Sequence, residues 1–226
     1  MTTVMTLSSI EALTHDTYNL SFPKPDGLSF KAGQATMLSV MKDGWREEGR
    51  PFTFTSQPED ETLEFVIKTY PSHDGVTEQI AGLVPGDEVA MDKVWGAIED
   101  KGPGIFIAGG AGLTPFIPIL RKRAIAGELA SCTLIYGAKT ERDLILRDEW
   151  DAMEGLDTRY VLSDVAVAGL DHGTIGHGLL NTYVQGRGEG DHPFYICGPD
   201  PMIDSVRDNL RALGVSDDRI ITEDGH

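Results

Sequence analysis

Cysteine is scarce in this sequence: two residues, Cys132 and Cys197, in 226. Two thiols imply no disulfide framework, and they fall short of the four that ligate an iron–sulfur cluster. Basic side chains are also few, 19 Lys and Arg against 36 Asp and Glu, for a formal charge of −17. That balance argues against a nucleic-acid partner, because like charges repel. It leaves protein partners open, since a local basic patch can survive on an acidic surface. No apolar run reaches membrane-spanning length, so no membrane insertion is expected. The N-terminal stretch MTTVMTLSSIEALTHD lacks a basic segment followed by a long apolar one, the mark of a secretory signal. A cytoplasmic protein is expected.

The length suits one large domain or two small ones, and 40% hydrophobic residues supply a sizeable core. The chain has two grammars. QATMLSVM, RPFTFTS, TLEFVIKTY and DEVAMD are short runs rich in β-branched or aromatic residues, bounded by Pro, Gly and Asp clusters. Such spacing predicts a small antiparallel barrel or sandwich over residues 1–99. One helical piece interrupts it: GVTEQIAGLVPGD places Val76, Ile80 and Leu83 at helical spacing before Pro85-Gly86. From residue 100 the pattern changes. GIFIAGG, CTLIYGA, RYVLSD and FYICGP are buried-strand runs, separated by the helical patterns TPFIPILRKRAIAG, ERDLILRDEWDAM, IGHGLLNTYVQG and DPMIDSVRDNLRALG. Strands alternating with helices predict an α/β domain with a parallel sheet over 100–226.

Two strand ends carry chemistry. IAGGAGLTPFIPILR leaves a strand and opens a helix, where a phosphate-binding turn belongs in an open α/β sheet. Gly109, Gly110 and Gly112 lack Cβ atoms, so a pyrophosphate can approach the backbone N–H groups. Pro115 suits the first helical turn. The third glycine of the ordinary dinucleotide fingerprint is missing, so a glycine-rich turn that binds nothing stands beside this reading. FYICGPDPM places Cys197 at another strand end, in the crevice where α/β folds bind ligands. A buried structural cysteine is the plain alternative. A hydrolytic nucleophile would need a base, and nothing in the sequence ties His172, His177 or His192 to Cys197.

RPFTFTS, GVT, GGAGLTPF, YGAKTERDLILRDEW, CGPDPM and LGVSDDRIITED occur in that order. Together they resemble the ferredoxin–NADP reductase family of flavoproteins over essentially the whole chain. The resemblance implies an antiparallel flavin-binding β-barrel followed by a nucleotide-binding α/β domain, with FAD and NAD(P)H as cofactors. It implies that Arg50 pairs with the flavin phosphates, as a planar guanidinium can. Pro51 and Phe52 match the segment beside the isoalloxazine. Thr53 matches a hydroxyl that bonds the ring nitrogen accepting hydride. Ile67, Lys68 and Tyr70 fall where the family holds the rest of the flavin cofactor, and Gly75, Val76 and Thr77 match its second phosphate site. Gly110, Ala111, Gly112, Thr114 and Pro115 match the dinucleotide's pyrophosphate turn. Cys197 matches the cysteine against nicotinamide, Gly198 and Pro199 shape that pocket, and Ser163 and Met202 complete the set.

Some positions depart from the family pattern. Phe52 stands where tyrosine is usual, keeping the ring but losing a hydroxyl worth about 1 kcal/mol. The tail TEDGH has no aromatic residue to cover the flavin, and Glu223 in it is either a terminal acid in proton transfer or part of a solvated acidic tail. Asp164 follows Ser163 where phosphate-selective relatives tend to have an arginine, which favours NADH; Lys139 and Arg142 are the cations available to a 2′-phosphate. DHGTIGHG, with Asp171, His172 and His177, matches no ordinary metal-ligand spacing, and no metal is expected.

The resemblance implies a flavin-dependent NAD(P)H oxidoreductase that passes electrons to a ferredoxin, flavodoxin or haem protein, expected to be monomeric. A reductase of free flavin and a redox-silent nucleotide-binding module remain the alternatives. Basic residues such as Lys42, Arg46, Lys68 and Lys93 would have to cluster near the flavin for an acidic ferredoxin to dock.

Overall fold

The computed structural model describes residues 2–70, 75–96, 98–186 and 192–223. Its N-terminal half is antiparallel. Strands β1 (Thr3–Thr6), β2 (Ser9–Ala12), β3 (Thr17–Pro23), β4 (Ala35–Val40), β5 (Arg50–Thr53), β6 (Thr62–Lys68) and β7 (Glu88–Met91) form two sheets, ordered β1-β7-β4-β5 and β2-β3-β6. Leu20, Phe22, Leu38, Phe54, Leu63 and Phe65 are buried between them in one core. Phe54 ties the two sheets together: its ring stacks on Phe30 at 4.3 Å and tilts against Phe65 at 5.2 Å. Helix α1 (Val76–Ala81) packs onto this core through Val76 and Ile80, with Leu83 just beyond it, as the helical spacing predicts.

The expected barrel is built as two sheets joined at corners. Leu7 N–H donates to Asp87 in the first sheet's connection, and the next residue, Ser8, donates to Ser21 in the second sheet. The same switch splits RPFTFTS, which reads in sequence as one strand. β5 ends at Thr53; Phe54 N–H donates to Gln34 and Thr55 N–H to Glu64 on β6. Beyond the corner, the hydroxyl residues face inward. Thr55 and Ser56 are buried, and Ser56 Oγ accepts from Glu64 N–H at 3.1 Å.

The C-terminal half is a parallel sheet. β8 (Ile105–Gly109), β9 (Thr133–Ala138), β10 (Asp157–Leu162), β11 (Asp171–His172), β12 (Phe194–Cys197) and β13 (Ile220–Thr222) lie in the order β11-β10-β9-β8-β12-β13. β8 alternates its side chains between two cores. Ile105 and Ile107 pack with Leu180, Val206 and Leu210 beneath α4 (His177–Gly186) and α5 (Asp200–Ala212). Phe106 and Ala108 pack with Phe116, Leu120 and Trp150 beneath α2 (Phe116–Ala126) and α3 (Arg147–Ala152). Helices on both faces explain the unbroken apolar runs of these strands.

ERDLILRDEWDAM is not the single helix its pattern predicts. A 3-10 turn at Glu141–Asp143 is followed by an extended Leu144 and by Leu146 at φ 56°, before α3 begins. Buried anchors outweigh helix propensity here. Ile145 N–H donates to the Tyr136 hydroxyl, Trp150 Nε1 donates to the Ile145 carbonyl, and Thr140 and Asp143 form a capping box.

The two halves are packed together. Val66 of β6 joins the core beneath α2, and the Gln57 side-chain amide donates to the Pro118 carbonyl at 3.0 Å. The connection between them is fixed to the second half: Tyr195 Oη accepts from Lys101 N–H at 2.9 Å and donates to the Gly102 carbonyl at 2.8 Å. Among the described residues no helix is long and apolar enough to cross a membrane.

Candidate functional site

A cavity of about 1050 Å³ lies between the two halves, at the carboxyl ends of β8 and β12 where the parallel sheet reverses its strand order. From the antiparallel half it is lined by Pro51, Phe52 and Thr53, by Ile67, Lys68 and Tyr70, and by Thr77. From the parallel half come Gly110, Ala111, Gly112 and Thr114, then Ser163, and then Cys197, Gly198, Pro199, Met202 and Glu223. Most of the residues singled out in the sequence therefore meet in one place.

Four do not line it. Arg50 is exposed, its guanidinium 2.8 Å from the Gly49 carbonyl and 3.8 Å from Glu48. Val76 is buried in the barrel core beside Gly75, the N-cap of α1; only Thr77 of that segment reaches the cavity. Pro115 is the N-cap of α2. Of the four basic residues named for docking, Lys68 lines the cavity, while Lys42 pairs with Asp87 and Arg46 with Asp43. Residues 224–226 of the aromatic-free tail lie outside the described residues.

The glycine turn is a 3-10 helix, Gly110–Leu113, which carries the chain from β8 toward α2. Its two inner glycines have different jobs. Gly110 sits at φ 53° with nothing near where a Cβ would be, so its backbone faces open space that a ligand can enter. Gly112 faces the end of β12, and a Cβ there would lie 2.2 Å from the Cys197 carbonyl oxygen. It permits close packing of the turn on the cysteine strand. Gly112 also lines the cavity, so the packing adds a steric reason for this glycine to the one read from the sequence.

Cys197 is 7% exposed and beside Glu223. Burial pushes its thiol pKa well above the ordinary value, and the charge and side-chain hydrogen bond of Glu223 push it the same way. The group is a neutral thiol at neutral pH, which agrees with a positioning role and disagrees with a thiolate nucleophile. Glu223 is exposed, and it lines the cavity wall within hydrogen-bonding reach of Cys197.

The site also contains a cluster the sequence did not reveal. Lys68 Nζ lies 2.7 Å from Asp16 and 3.6 Å from Asp143, and His15 Nε2 lies 3.5 and 3.7 Å from the same carboxylates. Asp16 and His15 belong to the β2–β3 turn and Asp143 to the second half, so the cluster bridges the two. His15, Asp16 and Asp143 are close enough to hold a cation, but the Lys68 ammonium already contacts both carboxylates. Asp171, weighed above as a metal ligand, is paired with Arg159 at 2.7 Å. Ser163 Oγ donates to Asp164 at 2.6 Å, orienting that acid at the end of β10.

Residues 2–94 match the FAD-binding domain model, and residues 106–208 match the oxidoreductase NAD-binding domain model. The chain belongs to the ferredoxin reductase-like flavoproteins. It is 32% identical over 231 residues to the reductase component of propane 2-monooxygenase from Rhodococcus jostii (strain RHA1), covering 95% of this chain and 61% of the relative. It is 29% identical to the toluate 1,2-dioxygenase electron transfer component of Pseudomonas putida, covering 92% and 63%. It thus spans about three-fifths of the length of these curated relatives. Among solved structures, the CS-b5R domains of human Ncb5or in the NAD+ form superpose with a TM-score of 0.86 at 26% identity, covering 97% of this chain and 68% of that one. A ferredoxin NADP+ reductase from Neisseria gonorrhoeae with bound FAD and NADP shares the fold, with a TM-score of 0.83 at 20% identity over 97% of this chain and 96% of that one.

The cavity fits the two cofactors these domains bind. It has the volume of a large ligand site, an open glycine turn for a pyrophosphate, and an apolar wall at Ala35, Pro51 and Trp95 beside the Thr53 hydroxyl.

Proposed function

We propose that the chain is the reductase unit of an electron-transfer system, moving a hydride from NADH to FAD and single electrons from FAD to a carrier protein. The observation that carries this reading is the meeting, in one cavity, of Thr53 from the flavin-binding half with Cys197 and the Gly110 turn from the nucleotide-binding half. Bound there, FAD supplies the chemistry that links two-electron to one-electron transfer. The residues supply orientation. Thr53 offers a hydroxyl to the reactive edge of the flavin, and Phe52 and Pro51 back the ring. Gly110 leaves room for the dinucleotide's pyrophosphate. Cys197, neutral and buried, fills the space beside the nicotinamide and keeps water out, while Glu223 holds a proton-accepting group at the cavity wall.

The acceptor is a ferredoxin, flavodoxin or haem protein. The oxygenase systems named in the similar reductase components support a carrier of this kind. We place the domain boundary at residues 99/100, just before the connection held by Tyr195, and read the chain as a cytoplasmic monomer. Asp164, held by Ser163, makes NADH the preferred donor by repelling a 2′-phosphate.

Purification tests this reading. The protein should be yellow with stoichiometric FAD and should reduce an added carrier with NADH. FAD that is absent after gentle purification, with turnover only when free flavin is added, would make it a reductase of free flavin. A catalytic efficiency with NADPH tenfold above that with NADH would remove the role given to Asp164.

A further inference from the structure

We propose that Tyr195 is a positioning residue for hydride transfer. Its hydroxyl fastens the connection between the two halves to the strand that carries Cys197, and so sets the separation of the two reacting rings. The inference rests on the reading that a flavin lies at Thr53 and a nicotinamide at Cys197. Rings held by different domains react only while the domains keep their spacing, and a misplacement of about 1 Å can cost about a hundredfold in rate.

The connection is anchored on both sides. On the barrel side, Thr36 Oγ1 donates to the Asp92 carbonyl at 3.0 Å, and Ala35 exchanges two backbone hydrogen bonds with Trp95, of 2.9 and 3.1 Å. Ala35 is also the antiparallel partner of Thr53. Midway, Ile98 is buried in the core beneath α2, and a Cβ on Gly33 would lie 2.1 Å from its carbonyl oxygen. On the far side, Tyr195 Oη accepts from Lys101 N–H and donates to the Gly102 carbonyl. Asp100 Oδ1 accepts from Gly102 N–H at 3.0 Å and from the buried Arg123 guanidinium at 2.5 Å.

Tyr195 is the decisive anchor because of where it stands. It and Cys197 are alternate residues of β12, so their side chains share a face, roughly 7 Å apart along the strand. Both belong to the core beneath α2. The Tyr195 ring stacks on Phe106 at 4.4 Å, which holds the phenol in place. Burial raises its pKa above that of an ordinary phenol, so it keeps the proton it donates to Gly102. Phenylalanine would fill the core as well. The hydroxyl serves the connection: among the described residues, both of its hydrogen bonds go there. A series of short contacts thus runs from Thr53 through Ala35, Trp95 and the connection to Tyr195, and along β12 to Cys197.

Tyr195→Phe keeps the ring and removes only the anchor. In FAD-loaded protein, the limiting rate of flavin bleaching at saturating NADH should fall about tenfold. FAD occupancy and the KM for NADH should hold. The long-wavelength charge-transfer absorbance of reduced flavin stacked on NAD+ should weaken. Tyr160→Phe removes a hydroxyl from the same core, bonded to Asp151 and Arg147 and not to the connection. It should leave the limiting rate and the absorbance unchanged. Asp100→Ala, at an exposed position, loosens the connection from outside and should lower the limiting rate severalfold. Asp100→Asn, which retains an acceptor oxygen, should recover most of it. A wild-type limiting rate and absorbance in Tyr195→Phe, or an equal loss in Tyr160→Phe, overturns the role given to Tyr195. If Tyr195→Phe does not fold, wild-type values in Asp100→Ala overturn it instead. Those results leave the proposed function standing, because the bound flavin is still bleached by NADH. A wild-type protein whose bound flavin NADH does not bleach overturns the proposed function itself.

Discussion

The ammonium of Lys68, on the flavin-binding half, lies 3.6 Å from the carboxylate of Asp143, on the nucleotide-binding half. Asp16 completes the bridge at 2.7 Å from the same ammonium, and all three side chains are largely buried, at 14–16% exposure. Hydride transfer needs two rings held by two different domains, so a link across the cavity wall fixes their relation. Asp143→Asn should lower chemical-denaturation stability by about 1–2 kcal/mol, as loss of a part-buried pair and a weakened cap predict. A double-mutant cycle with Lys68→Met should return a coupling near 1 kcal/mol. Strict additivity of the two substitutions would contradict the bridge.

Acid should loosen the same link. Burial raises the Asp16 pKa, but the hydrogen bond and charge of Lys68 outweigh it, and the net shift is below the usual 3.8. A carboxylate depressed in the folded state contributes stability that is fully present above its unfolded pKa and is lost as pH falls through the folded value. The wild type should therefore lose stability below about pH 4 more steeply than Asp16→Asn. Parallel acid-denaturation curves for the two proteins would show that Asp16 carries none of the effect.

The two glycines of the 3-10 turn separate folding from binding. Gly112→Ala puts a methyl 2.2 Å from the Cys197 carbonyl oxygen and should cost more than about 2 kcal/mol of stability, through displaced backbone. Gly110→Ala meets open space and should cost only about 1 kcal/mol for its positive φ. Its main effect should be a raised KM for NADH. Equal effects of the two substitutions on stability and on KM would contradict the division of labour.

Phe52→Tyr should restore a hydroxyl beside the flavin. Phe52 lines the cavity and also packs against the barrel core, so the added oxygen has one open side. One hydrogen bond of about 1 kcal/mol slows FAD dissociation about fivefold. Faster loss of FAD on dilution would move RPFTFTS away from the isoalloxazine.

What the sequence made legible was the continuous and the local. IFIAG and FYIC read as buried parallel strands because apolar runs covered by helices on both faces need no alternation. The glycine turn and the cysteine strand end read as ligand-facing because each punctuates such a run. The antiparallel strand TYNLSFP and the parallel edge strand IIT carry weaker signals: the first mixes Asn and Ser into its pattern, and the second is three residues long. The strand switch after Phe54 and the break at Leu146 depend on partners outside their own segments, Glu64 bonded by Thr55 for one and the Tyr136 hydroxyl bonded by Ile145 for the other. The cluster of Asp16, Lys68 and Asp143 was invisible for the same reason. Its members come from two domains, and no spacing in a linear sequence brings them together.

The most direct test of the central claim is anaerobic mixing of the FAD-loaded protein with NADH, following flavin absorbance in a stopped-flow spectrometer. Direct transfer across the cavity predicts rapid bleaching of the bound flavin, slowed by Thr53→Ala with its FAD retained. Flavin that stays oxidised through that mixing would contradict it.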